Sequence, residues 1–249
     1  MTTRLLVLVL LVLICLPKPT SAEPILVMVD TANPPFMFLT SDGKASGIYP
    51  AIITEAFERM GVPVKVSAIP WKRALANMEM GEAGVAGIYK TIERSGKCDF
   101  SDYLFVEKVQ VIVLAKRMFP YSGLQSLQGK RLGVLRGWSY GDEFDKARAA
   151  GLFTVEEVES DAQNLAKLKN DRLDAVLAIK ESGDASMSGF GSPQAFVALE
   201  PPLSETPTYL AFSRQADKAE LLKSFNKALA SMRQDGTWDK IVMAISSSP

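Results

Sequence analysis

From Ile25 onward, short apolar runs rich in β-branched residues alternate with stretches whose apolar residues recur every three to four positions. That alternation specifies βαβ units, in which parallel strands are buried and crossover helices cover them. Strand-like runs fall at 25–29, 62–69 and 83–88. Between them lie a helix that begins near Pro50 and stops at Gly61, and a second helix over 72–80 closed by Gly81. Ser41-Asp42-Gly43-Lys44 marks a turn between Phe36-Met37-Phe38 and Gly47-Ile48. An apolar run at 109–115 leads into a second cycle, with strands expected at 130–135, 155–158 and 175–179. Its helices are expected over 139–150 and 161–169, the latter capped by Ser160 or Asp161. Residues 182–192 read as a loop or short helix, and 206–212 as a returning strand. A helix over 218–233 carries Leu221, Leu222, Phe225, Leu229 and Met232 on one face, and a short helix starts at Thr237. Two α/β cycles joined by two extended crossings point to two lobes around a cleft, a preferred place for a ligand. A single large α/β domain is the alternative.

Residues 1–22 stand apart. Arg4 precedes an apolar stretch from Leu5 to Leu16, and Thr20-Ser21-Ala22 ends in small residues, the pattern of a secretory leader cut after Ala22. The stretch is shorter than the ~20 apolar residues of a membrane span, and Pro17 and Pro19 follow it, so no membrane anchor is expected. Cys15 follows Ile14 rather than a small residue, which argues against a lipid anchor. Basic and acidic residues number 28 each, and losing Arg4 and Lys18 leaves the exported chain slightly acidic. That balance gives nucleic acid no footprint. Cys98 is then the sole cysteine, so no internal disulfide forms, and burial is its expected state. Histidine is absent. Ser-His and Cys-His catalysis are therefore excluded, a zinc site lacks its ligands, and neither metal nor cofactor is expected.

The most pointed local feature is Gly87-Ile88-Tyr89-Lys90-Thr91-Ile92-Glu93-Arg94, followed by Cys98-Asp99-Phe100-Ser101. A buried strand ends, Thr91 is able to cap a helix, and an arginine stands just beyond the strand's carboxyl end. In open α/β sheets that is where ligands sit, and a guanidinium there grips a carboxylate with two prongs. By itself the motif also suits a surface arginine in a helical turn.

Further motifs follow in order: Asp30-Thr31-Ala32-Asn33-Pro34-Pro35-Phe36, Gly47-Ile48, Pro70-Trp71, Gly129-Lys130-Arg131-Leu132-Gly133-Val134, Asp174-Ala175-Val176-Leu177, Asn226-Lys227-Ala228-Leu229 and Asp235-Gly236-Thr237-Trp238. Through these, over residues 25–243, the chain resembles the bacterial extracellular solute-binding proteins of family 3, the polar amino-acid-binding type. The resemblance implies an α/β two-lobe periplasmic binding protein fold of type II, with two hinge crossings and a mostly parallel sheet in each lobe. Residues 23–113 and 207–249 would form lobe 1, and 114–206 lobe 2. It further implies a periplasmic monomer that captures a small carboxylate-bearing, amino-acid-like solute for the permease subunits of an ABC importer, without chemistry on the ligand. A sensory module of the same fold is one alternative. An enzyme resembling cyclohexadienyl dehydratases, with Glu181 as acid, is a weaker one.

Carried residue by residue, the resemblance makes Arg94 the partner of the ligand carboxylate and Trp71 the aromatic platform for its side chain. Tyr89 stands where a small hydroxyl residue often donates to the carboxylate. Asp30 either touches ligand or caps the next turn, and Asn33 replaces an aromatic common in relatives. In lobe 2, Arg136, Gly137, Trp138, Ser139 and Tyr140 precede a helix whose free N–H groups suit an anion. Trp138 and Tyr140 are bulkier than the usual residues there, and the alternative is that both rings point away from the cleft. Ile179 departs most from the family pattern, because amino-acid binders carry an aspartate there to accept the ligand's ammonium. With isoleucine, a carboxylate lacking the α-amine or a differently oriented cation is expected, unless Glu181 or Asp184 substitutes.

Overall fold

The computed structural model describes residues 23–190 and 192–246, so the expected leader at 1–22 lies outside the described residues. Strands β1 (Ile25–Val29), β5 (Val64–Ala68) and β6 (Gly84–Tyr89) form a parallel set in the order β5-β1-β6. A small antiparallel sheet of β2 (Ala32–Asn33), β3 (Met37–Leu39) and β4 (Ala45–Ser46) interrupts the first crossover. Helix α1 (Ile48–Arg59) follows, burying Tyr49, Ile52, Ile53, Ala56 and Phe57 on one side. It starts two residues before Pro50, which sits inside the first turn, where proline's missing N–H breaks no helical bond. Helix α2 (Trp71–Glu79) connects β5 to β6. Every residue of β6 is buried, as its unbroken apolar run requires of a strand covered on both faces. Helix α3 (Ile92–Lys97) and the short strand β7 (Cys98–Phe100) follow, and Cys98 is buried as expected.

The second parallel set is β10-β9-β11, built from β9 (Arg131–Leu135), β10 (Thr154–Val158) and β11 (Ala175–Ile179). Helices α4 (Asp142–Ala149) and α5 (Asp161–Lys169) link its strands, and the Ser160 hydroxyl caps α5 by accepting from Gln163 N–H. Helix α6 (Lys180–Ser188) resolves the loop-or-helix alternative at 182–192 in favour of a helix that begins earlier.

Two long strands join the sets. Strand β8 (Phe105–Leu114) runs antiparallel to β11, and β12 (Phe196–Ser213) runs antiparallel to β6. They also pair with each other, so one sheet reads β10-β9-β11-β8-β12-β6-β1-β5. Helices α7 (Ala219–Gln234) and α8 (Thr237–Ser246) return to pack on α1. The main apolar cluster runs through both halves, and a second one, around Ile112, Leu165, Leu173 and Val176, fills the outer face of the β9–β11 half. Each fully buried Leu, Ile, Val or Phe in them contributes about 1.5–3 kcal/mol.

Two expectations need correction. The returning strand at 206–212 is only the end of an 18-residue strand, whose first part carries Pro201 and Pro202 where the register with β8 shifts between Leu199 and Ser204. The helix expected from 139 begins at Asp142, because Gly141 takes φ +102 as its N-cap and leaves Trp138, Ser139 and Tyr140 in the preceding turn.

Candidate functional site

Strand ends from both halves meet at one place. On the β1–β6 side, Asp30 follows β1, Trp71 opens α2 after β5, and Tyr89 ends β6. On the other side, the turn after β9 carries Trp138 and Ser139, and Ile179 ends β11. Trp71, Gly87, Tyr89, Arg94, Trp138 and Ser139 line a small cavity of about 10 Å³ between the halves. Five of these six are among the residues picked from the sequence.

Arg94 is placed by α3. The Thr91 hydroxyl caps that helix by accepting from Arg94 N–H at 3.2 Å. The half-buried guanidinium donates to the Tyr89 carbonyl at 3.1 Å, and among the described residues no carboxylate lies within ion-pair distance of it. Burial lowers its pKa, with Asp145 the first of several charges that offset this. It is a desolvated cation with donors to spare, the condition for a two-pronged carboxylate contact.

Trp71 is nearly fully buried, and its indole N–H has no partner among the described residues. Its ring meets that of Trp138, with centroids 5.6 Å apart and planes inclined by 42°. The Trp138 N–H crosses between the halves to donate to Asp30 Oδ2 at 2.9 Å, and Asp30 Oδ1 accepts from Thr31 N–H at 2.6 Å. Burial raises the Asp30 pKa, opposed by these hydrogen bonds. A second direct link joins Ser182 Oγ to Asn33 Oδ1 at 2.6 Å, between two buried side chains; Asn33 Nδ2 has no partner among the described residues.

Several expectations resolve differently. The Tyr89 ring lines the cavity, but its hydroxyl donates to Glu107 Oε2 at 2.6 Å and is not free for a ligand carboxylate. Arg136 is half-exposed and pairs with Glu159 at 3.1 Å. Gly137 takes φ +76 in the turn beside Lys72, and a Cβ there would lie 2.6 Å from that side chain. Tyr140 turns into its own half, packs on Phe144 and accepts from Leu135 N–H, so of the two bulky rings only Trp138 faces the cavity. The start of α4 is not an open anion site: Asp142, Glu143 and Asp145 occupy its first turn, the Ser139 hydroxyl bonds Asp145, and Asp142 accepts from Ile92 N–H. Ile179 is buried in the apolar core, opposite Val109. Asp184 pairs with Lys180 at the surface. Glu181, by contrast, keeps a shielded Oε2 without a hydrogen-bond partner among the described residues.

Sequence reasoning missed Glu107. It is fully buried on β8, receiving hydrogen bonds from the Tyr49 and Tyr89 hydroxyls, while Thr208 donates to Tyr49 at 3.0 Å. Desolvation pushes its pKa up to about 8, helped by nearby Glu181. A signal was present, since Glu107 shares the phase of Val109, Val111 and Val113, the inward phase of the strand.

The site sits on a chain whose residues 25–244 match the model of the bacterial extracellular solute-binding proteins, family 3. The L-cystine-binding protein TcyJ of Escherichia coli (strain K12) is 27% identical over 226 residues, covering 86% of this chain and 79% of the relative. The lysine/arginine/ornithine-binding periplasmic protein of the same strain is 27% identical over 227 residues, covering 88% and 86%. A solved ancestral arginine-binding protein bound to arginine superposes with a TM-score of 0.77 at 26% identity, covering 90% of this chain and 98% of that one. The fold is accordingly the α/β periplasmic binding protein fold, and the family binds its solutes rather than transforming them. Since the match spans almost every described residue, the chain belongs to the bacterial extracellular solute-binding proteins of family 3.

Proposed function

We propose that this protein captures a small zwitterionic, amino-acid-like solute in the periplasm and delivers it to an ABC importer. In this reading residues 23–113 with 207–249 and residues 114–206 form lobes that close on the ligand, and β8 and β12 carry the hinge. The observation that carries it is Arg94: half-buried, oriented by a capped helix, facing the cavity and without a carboxylate partner among the described residues. A ligand carboxylate completes it.

The opposite end of the ligand needs an acceptor that Ile179 cannot provide. Asp30 and Glu181 supply carboxylate oxygens instead, one following β1 and one in the first turn of α6. Of the two outcomes expected from Ile179, a differently oriented cation is the one these acceptors favour. The names of the relatives, which bind cystine or basic amino acids, support the same ligand class. Trp71 provides the apolar platform for the ligand's body.

Calorimetric titration with L-arginine, L-lysine and L-cystine tests the reading. At least one should bind at micromolar affinity or tighter, and Arg94→Ala should weaken it by roughly a hundredfold or more, the usual effect of removing one partner of a buried charged pair. Circular dichroism of the variant should be unchanged, because Arg94 stands at the cavity edge and not in the core. Absence of binding by all three would refute the ligand class; unchanged affinity in the variant would refute the site.

A further inference from the structure

Arg94 has a second side. Besides the cleft, it lines a cavity of about 450 Å³ whose walls include Leu75, Met78 and Glu79 of α2, Lys97 of α3 and Cys98 of β7. Every lining residue falls within 75–98 or 213–215, and none comes from the half that carries β9, β10 and β11. The cavity therefore lies outside the cleft, and its walls do not depend on how the two halves stand to one another. Its size falls within the ~300–1,000 Å³ of small-molecule pockets. The helices around it are tied to one segment: Gln215 donates to the Glu79 carbonyl at the end of α2, and the Arg214 guanidinium donates to the Gly96 and Ser95 carbonyls of α3 at 3.0 and 2.9 Å. Two opposite charges in the wall lack direct partners. The Lys97 ammonium is held by Glu93 at 2.7 Å, but among the described residues no carboxylate lies within ion-pair distance of Arg94 and no cation within that distance of Glu79. The charge of Glu79 still reaches Arg94 and Lys97 across the cavity. Leu75, Met78 and Cys98 make the adjoining wall apolar, with Met78 only 2% exposed.

We infer that this outer cavity is a second solute site, and that it takes a neutral α-amino acid with an apolar side chain. The ligand's carboxylate engages Arg94, its ammonium engages Glu79, and its side chain packs on Leu75 and Met78. Guanidinium and carboxylate each gain the charge-assisted bond they lack. An acidic side chain would set a second anion against Glu79, and a basic one would carry a charge onto an apolar wall, where desolvation opposes it. The site also bears on the cleft, a consequence that rests on Arg94 being the cleft's carboxylate contact. One guanidinium then meets a carboxylate from either side, and the two like charges repel. Filling either site weakens the other, and linkage makes the two effects equal. The outer site thereby lowers capture of cargo when an apolar amino acid is abundant.

The closing experiment has two arms. The first needs no cargo: it follows isotope-labelled methionine methyl groups by NMR while L-leucine is added. Met78 lines the cavity, and its resonance is assigned by its loss in Met78→Leu. That resonance should shift and saturate with L-leucine taken to about 10 mM, well past a dissociation constant of ~1 mM. Glu79→Lys reverses one pole at an exposed position and should demand roughly tenfold more L-leucine for the same shift. Glu79→Gln repeats the comparison should the first variant fail to fold. An unmoved Met78 resonance, or equal sensitivity in wild type and the folded Glu79 variant, would overturn the site. The second arm titrates L-arginine by calorimetry with and without saturating L-leucine. Its affinity should fall about fivefold or more in wild type, and the Glu79 variant should lose most of that fall. Direct competition inside the cleft would persist in the variant, and persistence, or no fall in wild type, would overturn the coupling. If L-arginine binds neither protein while Met78 still responds, the cargo assignment fails and the outer site stands.

Discussion

Glu107→Gln should change how stability depends on pH, and the structure sets the sign and the scale. The carboxyl is fully buried between β8 and two tyrosine hydroxyls, and desolvation moves its pKa from 4.5 to about 8. In the unfolded chain the group loses its proton near 4.5, while in the folded protein it keeps it until about pH 8. Between these values the folded state binds the extra proton, so stability is greatest below the lower one and falls as pH rises. The slope from one such group is about 1.4 kcal/mol per pH unit, which over this interval gives an upper limit on the order of 5 kcal/mol.

Glutamine does not titrate and so removes that slope. At pH 5 the variant loses one donated hydrogen bond and should be less stable than wild type by about 1 kcal/mol. At pH 8 and above it should be more stable by a few kcal/mol, so the two pH profiles cross. Urea denaturation followed by far-ultraviolet circular dichroism at pH 5, 6, 7, 8 and 9 measures both curves. Asp161 adds a slope of the same sign in both proteins, because burial alone lifts its pKa to about 7. The difference between the curves therefore isolates Glu107. Parallel curves over this range would refute the claim that Glu107 is held protonated by burial.

Two other substitutions test how the site is held. Gly87→Ala places a Cβ 2.7 Å from the Tyr49 ring at a position with φ +80, and left-handed strain together with overpacking should lower stability by about 2–4 kcal/mol in denaturant titrations. A loss below a few tenths would mean that β6 shifts freely. Thr91→Ala removes the cap that positions Arg94 and should cost about 1 kcal/mol in thermal unfolding, with a several-fold loss of ligand affinity. Affinity falling without any change in melting temperature would show that Thr91 acts on the ligand directly.

The two parallel sets were legible because each strand carries a local apolar run and each crossover a local helical period. What stayed hidden depends on distant partners. The first part of β12 carries only a short apolar run, Phe196-Val197-Ala198-Leu199, and Pro201 and Pro202 follow it at once and read as a break. Those prolines fall in the register shift with β8, where a missing donor does no harm. Arg136 looked like a site residue until its partner Glu159 was located, at the edge of the next strand. Tyr140 and Trp138 are two residues apart in one turn, yet one enters the core of its own half and the other crosses to Asp30, a distinction no local pattern encodes. The placement of Arg94 was legible because its requirements are local: a strand end, a capping threonine and a short helix.

Tyr89 ties the legible part of the site to the hidden part. Its carbonyl accepts from the Arg94 guanidinium, and its hydroxyl donates to Glu107. An ionised Glu107 beyond that residue would add a buried negative charge on the side of the site where the ligand carboxylate is proposed to bind, and like charges repel. Burial prevents it by keeping the acid protonated below about pH 8. Among the described residues no carboxylate pairs directly with Arg94, and Asp145, Glu93 and Glu79 offset only part of its burial, so a ligand carboxylate is the group proposed to complete the balance. On this argument the fully shielded Glu107, invisible to any search for exposed binding residues, conditions the strength of the carboxylate contact proposed for Arg94.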